Sequence, residues 1–526
     1  MKKLLLASLF LSLAAPLLGQ MYDPSVPLSI SHNEQVVGKN NLTQSDIVAT
    51  SYSFPDRMLD YTIDPGRGVL NVLLTGTNIS EEKITYLVAY DMRDNKKLWD
   101  RDAVNTERLL GSGDLLMSVE SNRSVLRNPT KGKQTWKTSD IIFHVDSTTQ
   151  RGIALYFGAG NSCVESIDLK TGNSLWTKDL SFSQGWAGYS WINDSLLCVK
   201  ASGLNVININ TGNGWTFETP IGTRPYNSST TIGFYIMFGV VGALLTLPYA
   251  MSDAFADMSI GLCSDILVDD DNIYFAGREK VVCLSMSGET KWHNDLQKEM
   301  TSASQLLLDN GVLYVINKGY GFDYGKQKSI GVSSVAAFRT SDGAAIFEKQ
   351  IGEKKGKKLI KDPIAAGENI YLIYDKTVAK VSHVTSEVVQ EKTFADSISH
   401  FLKGDVFLRS SGSENSTGGG ADFTPLSTLS ALGNIYVAKT DGNVVGLAPD
   451  LTEINPKGFG DEFVRYYKGK SYSFLASGSN TVVIDSQNHE VANFEASRKA
   501  KVVGNFLYDQ HGSTISAIDV SAFIEP

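Results

Sequence analysis

A phrase recurs along this chain and sets the period on which it folds. SIDLKTGNSLW at 166–176 is echoed by AYDMRDNKKLW at 89–99, with looser copies in ININTGNGW (207–215), CLSMSGETKW (283–292) and AAFRTSDGAAIF (336–347). Each reads as a strand, a tight Asp/Asn/Gly turn and a second strand ending on a large aromatic. Trp99, Trp136, Trp176 and Trp215 follow one another at intervals of 37, 40 and 39 residues, so they hold one structural position. A second register, a Gly/Asn turn before an alternating apolar strand, recurs as GSGDLLMS (111–118), DNGVLYVI (309–316), GENIYLIY (367–374) and GNFLYDQ (504–510). Together the two registers make a four-stranded sheet whose faces are both partly apolar. Such a sheet buries its faces only on neighbours like itself, and stacking around an axis achieves this. Repeats of roughly 40 residues with this content predict an all-β fold: a single β-propeller of about eight four-stranded blades, within a range of about seven to ten. Trp99, Trp136, Trp176, Trp215 and Trp292 are read as blade-docking residues, each offering one N–H to a neighbouring carbonyl.

The bulk numbers fit this fold. Of 526 residues, 42% are apolar and 47 are Gly, as short strands and tight turns require. A net charge of −9 argues against binding nucleic acid through a general basic surface. Residues 1–20 read as a signal peptide, with Lys2 and Lys3 ahead of an apolar run from Leu4 to Leu18 and small Gly19. That reading places the chain in the periplasm or on the periplasmic face of a membrane. Residues 21–57 read as a partly irregular N-terminal segment and 58–526 as the propeller. SAIDVSAF at 516–523 is a partial copy of the phrase, which suggests closure by strands from both termini. Cys163, Cys198, Cys263 and Cys283 permit two disulfides in an exported chain. Cys283, however, occupies the small inward position of Ala89 and Ser166 and reads as a buried thiol. EKKGKK at 353–358 reads as a solvated basic turn, and SGSENSTGGGADFTP at 411–425 as a mobile surface loop.

One unit breaks the period. Trp215 and Trp292 are 77 residues apart, and TIGFYIMFGVVGALLTLPYAM at 231–251 carries no charge. By length it is a transmembrane candidate. A single crossing would put blades of one ring on opposite sides of a bilayer, and the following AMSDAFADMSIG is too polar for a second. The segment 231–260 is therefore read as an apolar, helical insertion that meets a membrane interface or a partner. Packing on its own propeller and a true span are the other readings. Phe234, Tyr235, Ile236, Phe238, Val240, Leu244, Leu245 and Leu247 are its candidate docking residues.

SIDLKTGNSLW resembles the tryptophan-docking phrase of the quinoprotein-dehydrogenase-like (PQQ-like repeat) propellers. The resemblance runs from about Asp60 to Phe523 and is strongest between Tyr86 and Trp292. That superfamily includes quinone-dependent alcohol dehydrogenases and noncatalytic relatives, among them the propeller subunit of the outer-membrane β-barrel assembly machinery. Its enzymes need a vicinal Cys pair over the quinone, acidic and amide calcium ligands, and an Asp base; this chain has no adjacent cysteines. Asp91 and Asp168 belong to the turn of the phrase, where a carboxylate bonds nearby N–H groups. The acids at 269–271 lack the spacing of a helix-loop-helix calcium site. No catalytic, metal or cofactor-binding residue is assigned, and no cofactor is expected. The resemblance implies a noncatalytic, exported scaffold in a bacterial envelope, with envelope proteins as partners, possible members of an outer-membrane complex. The alternatives are a divergent quinoprotein dehydrogenase or other propeller enzyme, and a ligand- or glycan-binding propeller.

Overall fold

The structure, a computed structural model, describes residues 29–524 except 220–263, 410–420 and stretches of one to seven residues in the connections. Among the described residues are seven four-stranded antiparallel sheets, a three-stranded sheet, an eleven-stranded sheet and a two-stranded hairpin. In chain order the four-stranded ones are sheet A (Arg57–Asp64, Val69–Thr77, Lys83–Asp91, Lys96–Ala103), sheet B (Arg108–Leu110, Leu116–Glu120, Arg123–Arg127, Gln134–Thr138) and sheet C (Ile141–Asp146, Arg151–Phe157, Ser162–Asp168, Ser174–Leu180). Sheet D follows (Trp186–Trp191, Leu196–Ala201, Leu204–Asn208, Gly214–Phe217), then sheet E (Leu267–Val268, Asn272–Ala276, Lys280–Ser285, Thr290–Asp295). Sheet F is Ser304–Asp309, Val312–Asn317, Ser334–Arg339 and Ala345–Gln350; sheet G is Ile360–Ala366, Asn369–Tyr374, Thr377–Ser382 and Val388–Thr393. The three-stranded sheet H comprises Ile398–Phe401, Ile435–Lys439 and Val444–Leu447.

Sheet F illustrates why these sequences become sheets and why the sheets stack. Asn310 and Gly311, at φ 47° and 76°, turn its first strand onto its second in two residues. That left-handed pair matches the natural twist of a hairpin. The second strand is then buried on both faces, at Leu313, Tyr314, Val315 and Ile316. Leu313 and Val315 pack against Tyr274 and Cys283 of sheet E, whereas Tyr314 and Ile316 pack against Ile370 and Leu372 of sheet G. Each such side chain contributes about 1.5–3 kcal/mol on burial. Alternation thus hands one face to each neighbour. The same handover ends with Tyr508, Ile515 and Ala517 packed against Tyr61, Leu70 and Val72 of sheet A, so the last sheet meets the first. This is the architecture of a multi-bladed β-propeller.

The eleven-stranded sheet closes the ring. It holds one stack from Glu462–Lys468 to Glu490–Glu495 and another from Lys501–Val503 to Thr514–Asp519. Ser45–Ser53 pairs with Thr514–Asp519, and Ser31–Asn40 pairs with Ser45–Ser53 and, through Gly38↔Phe494, with Glu490–Glu495. Strands from both termini therefore complete the ring. Residues 31–53, placed by sequence ahead of the propeller boundary, are strands of it. The backbones meet so closely that a Cβ on Gly38 would lie 2.0 Å from the Asn493 carbonyl oxygen. The repeats count separate blades, and this strap joins two stacks into one sheet.

Sheet H carries its own insertion between its first and second strands. Val406–Arg409 pairs with Phe423–Pro425 on one side and with Glu462–Lys468 on the other, followed by a short helix at Leu426–Ser430. The expectation of a mobile surface loop across 411–425 is corrected at its C-terminal end. Ala421 and Phe423 are buried, Phe423 lying edge-on to Phe463 at 5.0 Å between ring centres. An aromatic packed on the next sheet outweighs the polar composition before it. No helix among the described residues is long and apolar enough to cross a membrane. The proposed signal peptide at 1–20 lies outside the described residues.

Candidate functional site

The repeated phrase folds into a lock between successive sheets. Asp168 Oδ1 accepts the backbone N–H groups of Lys170 (2.7 Å) and Thr171 (3.0 Å), closing the turn. Asp91, Asn128 and Asn208 accept backbone N–H bonds in the same way. These bonds hold the Asp168 carboxyl below the usual carboxylate range. In the Asp91 turn the left-handed position is Asn95 at φ 51°, whereas in the corresponding turns of sheets B to F it is a glycine that leaves a flat platform. The indole of the preceding sheet covers that platform, with Nε1 donating to a carbonyl of the turn. Trp99 donates to Pro129 (2.8 Å) above Gly132, Trp136 to Leu169 (2.8 Å) above Gly172, and Trp176 to Ile209 (3.0 Å) above Gly212. Trp215 donates to Met286 (2.8 Å) above Gly288, and Trp292 to Thr340 (2.8 Å) above Gly343.

A register shift directly precedes the aromatic in sheets A, B, C, E and F. The extra residue swings the aromatic toward the next turn and leaves its own side chain outside. That accounts for the exposure of Leu175 (47%) and Ile346 (39%), which need no partner to explain them. Beyond sheet F the lock changes chemistry. Phe347 packs against the core of sheet G without a donor. In sheet G the position falls to Gln390, whose Nε2 donates to the Asp450 carbonyl. Sequence reading missed Gln390 because it sought an aromatic; its register, opposite Lys380, is the signal that identifies it.

The two sheets that flank the apolar segment in sequence are in direct contact. Cys198, Leu204 and Val206 of sheet D pack directly on Ile273, Phe275 and Leu284 of sheet E. Trp215 locks these two sheets as the other tryptophans lock theirs. The candidate docking residues Phe234, Tyr235, Ile236, Phe238, Val240, Leu244, Leu245 and Leu247 lie outside the described residues.

Other chemically capable groups are dispersed. Cys163, Cys198 and Cys283 are buried thiols, and Cys263 lies outside the described residues. Burial, the largest cause, pushes the Cys163 and Cys283 thiols up to about 11, so neither is a ready nucleophile. Asp269 accepts the N–H groups of Asp271 and Asn272 and the Tyr274 hydroxyl, which makes it a turn residue. Among the described residues no three His, Cys, Asp or Glu converge as metal ligands. Glu165 is raised by burial and by neighbouring Asp140, a carboxyl pair that retains a proton more readily than either acid alone. Glu107, buried and ion-paired with Arg101, ties sheet A to the connection entering sheet B. A polar cleft of about 320 Å³ lies between sheet H and the strand Glu462–Lys468, lined by Ser399, His400, Lys439, Asp461 and Glu462 among others. There His400 Nε2 meets Glu462 Oε2 at 3.3 Å, a contact that raises the histidine pKa.

Fold and locks together define a multi-bladed propeller with tryptophan-docked sheets. No family model matches the chain, and no curated protein matches it. Similar solved structures include BamB from Moraxella catarrhalis, 13% identical, covering 80% of this chain and 96% of that one at a TM-score of 0.25. A europium-containing methanol dehydrogenase is 10% identical over 72% of this chain and 80% of that one, at 0.26. Apo AztD from Citrobacter koseri is 9% identical over 72% and 94%, at 0.30. Each likeness is remote, and the propeller assignment rests on the sheets and locks of this chain.

Proposed function

We propose that this protein is a noncatalytic, exported propeller acting as a protein-interaction scaffold in a bacterial envelope, with segment 231–260 as its membrane- or partner-docking element. One observation carries the reading: sheets D and E pack and lock directly on each other across the point where the segment departs. This direct junction supports reading the long uncharged run as a surface for a membrane or a partner. The Asp and Trp residues most easily taken for cofactor chemistry are consumed by turns and locks, in keeping with a scaffold rather than an enzyme. The two stacks of the eleven-stranded sheet count as two blades in this reading.

The test replaces residues 233–251 with a short Gly/Ser bridge. A soluble protein with unchanged circular dichroism is expected, together with loss of the envelope proteins recovered with the intact chain under mild detergent. Unfolding would assign the segment to the core. Unchanged recovery would move docking elsewhere.

A further inference from the structure

We propose that loop 353–358 is a contact for an anionic phospholipid surface, on the ring face where strand Gly214–Phe217, the last before segment 231–260, ends. This deepens the docking reading and rests on it for the choice of lipid over protein. The locks establish which face this is. Trp176 reaches the third-to-fourth-strand turn of sheet D at Ile209, Trp215 that of sheet E at Met286, and Trp292 that of sheet F at Thr340. These turns therefore stand side by side on one face of the ring. A fourth strand runs away from its turn, so Gly214–Phe217 and Ala345–Gln350 both end on the opposite face. The first leads into the residues before sheet E; the second leads directly into the lysine loop.

The loop is built. Ile351 and Gly352 donate their N–H groups to the Ser333 carbonyl at 2.8 and 3.2 Å, and the Ser333 hydroxyl donates to the Lys358 carbonyl at 2.8 Å. Lys357 N–H closes onto the Lys354 carbonyl at 3.1 Å, with Gly356 between them at φ 81°. This backbone presents Lys354, Lys355 and Lys357 to solvent, and no ion pair engages them among the described residues. Lys358 differs: it pairs with Glu391 at 2.9 Å and stands over the Tyr374 ring. Glu353 is the one acid in the six residues. Beside the loop rises the hairpin of Tyr320–Asp323 and Lys326–Ser329, close enough that a Cβ on Gly356 would lie 3.2 Å from Ser329 Oγ.

A chain of net charge −9 is repelled as a whole by an anionic surface, so attraction has to come from a local cluster. Each lysine close to such a surface adds about fivefold to partitioning. Two weak signals hold a protein at a bilayer where one does not. Three lysines with no ion pair among the described residues stand on the face where Gly214–Phe217 ends, and the sequence that follows this strand holds an uncharged 21-residue run, a combination that favours a bilayer over an acidic protein.

The experiment is sedimentation of the purified full chain with phosphatidylcholine vesicles, with and without phosphatidylglycerol, at low and high salt. Three variants accompany it: Lys354→Gln/Lys355→Gln/Lys357→Gln, the control Lys131→Gln/Lys170→Gln on the opposite face, and the 233–251 replacement. The triple variant should lose the phosphatidylglycerol preference by on the order of tenfold to a hundredfold, high salt should have the same effect on the intact chain, and the control should leave the preference intact. Wild-type preference in the triple variant overturns the proposal. So does an equal loss in the control, which would reduce the effect to net charge, or binding to polyglutamate without binding to vesicles. The docking reading fails separately, if the 233–251 replacement keeps its envelope partners while the triple variant still loses its lipid preference.

Discussion

Glycine at each docking turn meets two demands at once. Gly172 sits at φ 75°, where an L side chain is strained, and a Cβ there would lie 2.9 Å from Trp136 Cδ2. Gly172→Ala should therefore cost about 1–3 kcal/mol, read as a lower urea midpoint. The two demands separate in a double-mutant cycle. With Trp136 replaced by Ala the collision disappears, and only the backbone strain of about 1 kcal/mol should remain. Equal costs in both backgrounds would show that the indole does not bear on the glycine. Asp168 completes the same logic: its carboxylate is held by two backbone N–H groups, which keeps the turn and removes the group from acid–base chemistry.

Between elements, legibility from sequence followed locality. The Trp phrase and the Asn-Gly hairpins are each encoded within a dozen residues, so ring and blade docking could both be read in advance. Gly38↔Phe494 joins residues from opposite ends of the chain, and no periodicity announces it. Leu408↔Glu462 likewise sends a strand of one unit into the next sheet. The His400–Glu462 contact depends on that second pairing, which is why the cleft was invisible beforehand. It has a consequence for pH. Glu462 raises the His400 pKa above its ordinary 6.5 in the folded chain, and Asp362 adds to the effect while Lys403 opposes it. A raised folded pKa stabilises while the ring is protonated. The contribution is thus whole below about pH 6.5 and fades as pH rises through the folded value. The wild-type urea midpoint should drop more than that of His400→Gln between about pH 6 and pH 8. Both side chains are partly exposed, so the difference should stay under about 1 kcal/mol. Parallel profiles would remove the pair from the stability of this junction.

At the scale of the whole ring, the junctions divide into two arcs. Five consecutive junctions, from sheet A to sheet F, carry an indole over a glycine platform. From sheet F to sheet H no indole lock is found among the described residues: Phe347 packs on sheet G without a donor, and the remaining ties are polar, Lys349–Glu387 at 2.8 Å, Gln390 to the Asp450 carbonyl, Lys392–Glu453 at 3.0 Å and Lys403–Asp362. Exposed ion pairs contribute little and are screened by salt, whereas an indole lock is not. Because strands from both termini close the ring, opening one junction frees its two neighbouring sheets without releasing the rest. Local opening should therefore precede global unfolding, and it should begin at sheets G and H. In hydrogen exchange, strands Val388–Thr393 and Ile435–Lys439 are expected to exchange before Ser162–Asp168 and Lys280–Ser285, with sodium chloride widening the gap by accelerating only the first pair. The burial of Tyr371, Ile373 and Val437 between sheets G and H works against this order, since that apolar core is as continuous as those in the aromatic arc. Exchange at equal rates in both arcs would mean that the shared cores alone set the stability of the ring. A salt-dependent gap would instead assign the difference to the locks.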